Sequence, residues 1–172
     1  RFAKAYPNVT LEVNCELSKH LLTKAGKARH DLILALGEQS ADKNSDLIKN
    51  DDLVWVANST QNPLKVEVMP LIVAAEGCIY RQRAVQCLDR SKLPWQIVYT
   101  NPDLTGIQYA IQEGLGVTVL AKSTVPSNLT ILARSPRFPD LGKVGINLVC
   151  DAGKRGDQAI KLLIGFLKTS LA

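Results

Sequence analysis

A chain of 172 residues, 46% hydrophobic, can bury a core in one domain or two small lobes. Its formal charge of +5 is dispersed: the densest basic stretch, Lys19 to Arg29, interleaves Leu21, Leu22 and Ala25 without stacking aromatics, which favours a solvated helix face over a nucleic-acid patch. No apolar run reaches the roughly 20 residues that cross a bilayer, and no signal peptide opens the chain.

The cysteines at 15, 78, 87 and 150 form no CxxC pair, and His20 and His30 lack cysteine neighbours at metal-ligand spacing. Reduced thiols are expected, buried at Cys87 and Cys150, with neither a metal nor another cofactor implied.

Arg1 to Pro7 reads as the end of a helix stopped by proline, so sequence upstream is expected to be missing. Val9 to Val13 alternates as a strand. Ser18 is placed to cap a helix through about Ala28, with Leu21 and Leu22 as its stripe. Asp31 to Leu36 is a more uniformly apolar strand. Polar Gly37 to Asn50 predicts a surface loop, followed by a strand at Leu53–Val56 and a crossover through Pro63 and Leu64.

A second cycle then begins. Pro70 to Ala74 predicts a strand, Glu76-Gly77-Cys78 a tight turn, and Ile79 to Leu88 a helix. The next stretch, Trp95 to Leu120, is the most informative. Ile97 to Tyr99 suits a buried parallel strand, and Thr100, Asn101, Pro102 and Asp103 supply turn and cap chemistry. Leu104, Ile107, Ala110 and Ile111 line one helix face. Gly114 and Gly116 stop that helix before the strand Val117 to Leu120. Short strands at Leu129–Leu132 and Val144–Cys150 follow, then a terminal helix with Ile160, Leu163, Ile164 and Leu167 as its stripe.

The order predicts an α/β chain of two Rossmann-like lobes joined by two crossover strands. Residues 1–57 plus 148–172 would form lobe one and 58–147 lobe two, with a ligand cleft between. Catalysis is not expected: no P-loop or GxSxG occurs, and Ser18 with His20 is no basis for a triad.

The ordered phrases Phe2 to Leu11, Asp31 to Leu36, Leu53 to Val56, Pro63-Leu64, Pro70-Leu71 and Gly106-Ile107 through Leu120 carry a resemblance. With Val125-Pro126, Leu129 to Leu132 and the Ala159 to Leu167 helix, the chain resembles the effector-binding domain of LysR-type transcriptional regulators. The turn at Cys78 to Arg81 with Pro94-Trp95 resembles the branch linked to motility and virulence control.

The resemblance implies a type II periplasmic-binding-protein-like fold and a cytoplasmic regulator without membrane contact. DNA would be read by a winged helix-turn-helix domain absent from this chain. It also implies a small-molecule effector, anionic or polar, such as a carboxylate, held near Ser18, Gly37, Glu38, Gly77, Cys78, Tyr80, Thr100 and Asn101. Arg81 is placed either to bind a carboxylate or to be solvated. A homodimer or tetramer is implied, with Leu21, Leu22, Ile107 and Ile111 at the interface, or equally in the core. The alternatives are a periplasmic-type solute-binding protein and a dimerisation platform without a physiological ligand.

Overall fold

The computed structural model describes residues 1–38, 45–59 and 66–171. Over these the chain divides into two units, Arg1–Asn50 with Gly145–Ala172, and Asp51–Val144. The chain passes between them within two strands, β2 (Ser45–Ala57) and β7 (Lys143–Val149).

In the first unit, β1 (Ile33–Gly37) pairs antiparallel with β7, placing Ile33 opposite Val149 and Gly37 opposite Gly145. Alternation sends Ile33 and Ala35 to one face, where they bury with Leu21 and Val149. At Gly145 a Cβ would crowd the Gly37 carbonyl oxygen at 2.9 Å, so the close approach here requires glycine. The terminal helix α6 (Gln158–Leu171) starts where Asp157 Oδ1 accepts from the Ala159 amide at 2.8 Å and the Ile160 amide at 3.2 Å. Its Phe166 packs edge-on against Phe2 of α1 (Phe2–Ala5), with ring centroids 5.4 Å apart. Asp46 accepts from Lys168 at 2.9 Å and Arg155 at 3.4 Å, tying the start of β2 to this end of the chain. The Lys168 hydrogen bond and the two positive charges hold the Asp46 carboxyl below its usual range, against a smaller opposing effect of burial.

Four sequence expectations change in this unit. The helix expected from Ser18 to Ala28 is two, α2 (Ser18–Leu21) and α3 (Lys24–Arg29). Thr23 breaks it: its hydroxyl donates to the His20 carbonyl at 2.8 Å and accepts from the Gly26 amide at 3.0 Å, capping α3. Ser18 is not a cap either, because Leu17 holds that position. Val9 to Val13 forms no strand; no described strand pairs with it, and Leu11 and Val13 remain 44% and 70% exposed. The loop expected over 37–50 gives way to β2 at Ser45, because ladder bonding overrides the polar composition of that stretch. Residues 39–44 of that expectation, and the crossover at Pro63 and Leu64, lie outside the described residues.

The second unit is built on parallel strands. β3 (Met69–Val73) pairs parallel with β4 (Trp95–Thr100), from Met69 opposite Trp95 to Val73 opposite Thr100. A parallel bridge between Leu71 and Val117 brings β5 (Thr118–Ala121) alongside β3. Helices α4 (Ile79–Arg90) and α5 (Leu104–Gln112) make the connections that parallel strands require. β2 then adds antiparallel to β5, Leu53 opposite Ala121, and the short β6 (Thr130–Ile131) pairs with β2.

Val56, Ile72, Ile107, Ala110, Ile111, Leu120 and Leu129 share one core in this unit. Each large aliphatic among them contributes about 1.5–3 kcal/mol by burial. The α5 stripe is therefore Ile107, Ala110 and Ile111, while Leu104 stays 43% exposed. β4 is not the buried strand expected, for Ile97 and Val98 are 36% and 39% exposed. Among the described residues it pairs only with β3, so one edge and part of its surface stay uncovered. Cys87 and Cys150 are buried, as expected, and burial pushes both thiols up.

Two glycines close α5 differently. Gly114 takes φ +75°, the left-handed stop. Gly116 is held by space, since a Cβ there would overlap the Pro70 carbonyl oxygen, which itself accepts from the Val117 amide at 2.9 Å. Gly116→Ala is expected to lower unfolding free energy by about 2 kcal/mol or more, read from denaturant midpoints, by prying β5 from β3.

Candidate functional site

In the second unit, β3, β4 and β5 run parallel, so their carboxyl ends lie at one edge, where ligands of open α/β sheets bind. The chain leaves β3 through Ala74 and a turn at Gly77, whose φ of +91° suits glycine, and enters α4 after Cys78. It leaves β4 at Thr100. The Asn101 amide donates to the Val73 carbonyl at 3.1 Å, joining the two exits. Gly77, Cys78, Tyr80, Thr100 and Asn101 thus gather along one edge.

The two helix starts there differ in chemistry. Asp103 caps α5 by accepting from the Thr105 amide at 3.2 Å, and Asn101 Oδ1 accepts from the Asp103 amide at 2.8 Å. The Asn101 Nδ2 donates to the Tyr99 hydroxyl at 2.9 Å, so that side chain is occupied by local structure. A Cβ at Gly106 would overlap the Asn101 amide, which explains the glycine one turn into the helix. By contrast, no side chain caps α4, leaving its first-turn amides open to an anion. Thr100 is exposed, and its hydroxyl makes no hydrogen bond among the described residues. Arg81 does not point freely into water: its Nη1 donates to the Ala74 carbonyl at 3.3 Å.

Tyr80 packs half-buried on the unit's core. Burial chiefly, then the charges of Cys78 and Asp51, push its phenol up to about 12.

Two residues of this edge were missed from sequence. Asp51, 7% exposed, accepts from the Ser123 amide at 3.2 Å and from the Ser123 hydroxyl. Asp51 lies within a polar run, Lys49 to Asp52, that reads as loop, and only the pairing of β2 with β5 brings it opposite the end of β5.

In the first unit, Ser18 and Gly37 lie at the carboxyl end of β1. The Ser18 hydroxyl accepts from the Leu36 amide at 2.9 Å, so it fastens α2 to β1. Glu38 is exposed, and its carbonyl accepts from Asn147 Nδ2 at 3.3 Å. Asn147 is 4% exposed and was also unforeseen. A 380 Å³ groove elsewhere in this unit, lined by Leu11, Val13, Leu34, Leu163 and Leu167, includes the expected interface residue Leu21 but none of the expected effector residues. Of the expected interface residues, Leu21, Ile107 and Ile111 are buried in the cores of their own units; Leu22 is 38% exposed.

Parallel strands with ligand-ready loops at their carboxyl edge, in a chain of two α/β units, belong to the type II periplasmic-binding-protein-like class. The match to the family model "LysR substrate binding domain" runs over residues 1–172, and the chain belongs to that family.

Among curated relatives it is 27% identical over 152 residues to the HTH-type transcriptional regulator DgdR of Burkholderia cepacia, covering 88% of this chain and 51% of that protein. With CzcR of Bacillus subtilis (strain 168) it shares 30% over 127 residues, covering 72% and 44%. The chain spans about half the length of these relatives. In fold it is similar to the regulatory domain of Synechocystis PCC6803 CcmR, solved in complex with 2-PG, with a TM-score of 0.76 at 18% identity over 98% of this chain and 86% of that one. The reduced OxyR regulatory domain from Pseudomonas aeruginosa matches with a TM-score of 0.72 at 17% identity, covering 98% and 87%. No helix among the described residues is long and apolar enough to cross a membrane.

Because the Tyr80 phenol ionises later in the folded chain than the usual 10.0, its contribution to stability is complete below pH 10. That contribution is lost as pH rises toward 12. Difference absorbance at 295 nm between the wild type and Tyr80→Phe is expected to show a tyrosinate with a midpoint near 12.

Proposed function

We propose that this chain senses a small-molecule effector for a LysR-type regulator of transcription in the cytoplasm, and that it binds rather than catalyses. The observation that carries this is the gathering of Gly77, Cys78, Tyr80, Thr100 and Asn101 at the carboxyl edge of the second unit. The uncapped start of α4 and the Thr100 hydroxyl offer donors to a carboxylate or other anion. Ser18, Gly37 and Glu38 are the first-unit residues that the family resemblance implies for effector contact. By binding one arrangement of the two units better than another, the effector shifts their equilibrium, and with it the assembly of dimer or tetramer. The DNA would be contacted by the helix-turn-helix part for which the relatives are named.

An oligomer interface finds its support in Leu22, and in Leu104 and Tyr109 on the outer surface of α5, all exposed. They take the place of Leu21, Ile107 and Ile111, whose surfaces are already spent inside their own units.

A thermal-shift screen against carboxylate-rich metabolites tests the sensing role. A compound at 100 times its Kd adds about 2.7 kcal/mol. Thr100→Val is expected to weaken a hit at least tenfold while leaving the ligand-free Tm within about 1 °C. An unchanged Kd would remove Thr100 from the site. Ser18→Ala is expected to weaken the same hit but also to lower the ligand-free Tm, because the Leu36 amide loses its acceptor.

A further inference from the structure

Asp51 is a carboxylate almost withdrawn from water, 7% exposed, at the end of the edge that the proposed effector site occupies. Ser123 answers part of its hydrogen-bonding capacity, through the backbone amide at 3.2 Å and through the hydroxyl, both on Oδ2. Neither donor carries a full charge. In the second unit Arg134 pairs with Asp140 and Lys143 with Asp52, and no lysine or arginine among the described residues pairs with Asp51. A buried carboxylate without a countercation is costly, and the cost is relieved by a cation that arrives with its own hydrogen-bond donors. Neighbouring Asp52 shows the contrast, since it is half exposed and already faces Lys143.

We propose that Asp51 is a specificity-determining residue that selects an effector bearing an ammonium group. The inference rests on the effector role proposed above and narrows its chemistry. The open first-turn amides of α4 suit the carboxylate of such a ligand, and Asp51 suits its amine, so a small amino acid has the required polarity. A ligand with a carboxylate alone leaves the Asp51 charge unanswered. This discrimination is of the steep kind, because the mismatch strands a buried polar group.

The test uses the 172-residue chain and two matched sets of probes: the common amino acids, and the corresponding carboxylic acids without the amine. Binding is read by thermal shift and then by calorimetry. At least one amino acid is expected to bind, its deaminated counterpart at least tenfold more weakly. Asp51→Asn keeps an acceptor for Ser123 and removes the charge, and is expected to erase that preference. Asp52→Asn is expected to leave it intact. Ser123→Ala, which keeps the charge, is expected to retain the preference even if the Tm falls.

Binding of the deaminated acids as tightly as the amino acids would overturn the inference while leaving the effector role standing. So would an Asp51→Asn chain that keeps the preference. No binding in either set, with a folded chain, would overturn the effector role and this inference together.

Discussion

Parallel strands cannot be joined by a tight turn, so each must be followed by a helix that carries the chain back, and every strand-to-helix exit falls at the same edge. In the second unit this constraint is realised by the β3–β4 ladder and by the contact that adds β5, where the Val117 amide reaches the Pro70 carbonyl across a position only glycine can fill. The core of Ile72, Ile107, Ile111 and Leu120 then holds α5 on the sheet. Apolar burial fixes the scaffold, and the scaffold decides that Gly77, Cys78, Tyr80, Thr100, Asn101 and Asp51 fall along one sheet edge.

Within that edge the two helix starts have divided their work. The α5 start is satisfied by its own Asp103 and Asn101, and Asn101 is further fixed by Tyr99. It is a structural corner. The α4 start has no such cap and lies beside Tyr80, whose phenol is pushed up chiefly by burial. Of the two starts, the α4 start is the one whose first-turn amides have no side-chain cap.

The first unit shows the reverse economy, in which polar groups are committed to holding the chain. Ser18 fastens α2 to β1, Asn147 holds the Glu38 carbonyl, and Asp46 joins β2 to Lys168 and Arg155. The Asp46 pairs are mostly solvated and contribute modestly to stability. They fix the ends of elements more than they strengthen a core.

Local chemistry made much of this legible beforehand. Ile107, Ala110 and Ile111 of the α5 stripe, its Asp103 cap, the Gly114 stop and the turn at Gly77 follow from side chains acting on their immediate neighbours, and each stands as its residues imply; Leu104 alone leaves the stripe. The split of the helix after Ser18 was equally local but turned on one Thr23 hydroxyl competing with the backbone. What composition and spacing did not carry were facts about distant partners. Val9 to Val13 alternates like a strand yet has no described strand to pair with, Ile97 and Val98 are apolar yet uncovered, and Asp51 in its polar run is buried. The sequence by itself determined which elements could form and how their ends are capped, because those energies lie within a few residues. Only the tertiary structure decided which faces are covered and which carboxylate is withdrawn from water, because burial is set by residues far away in the chain.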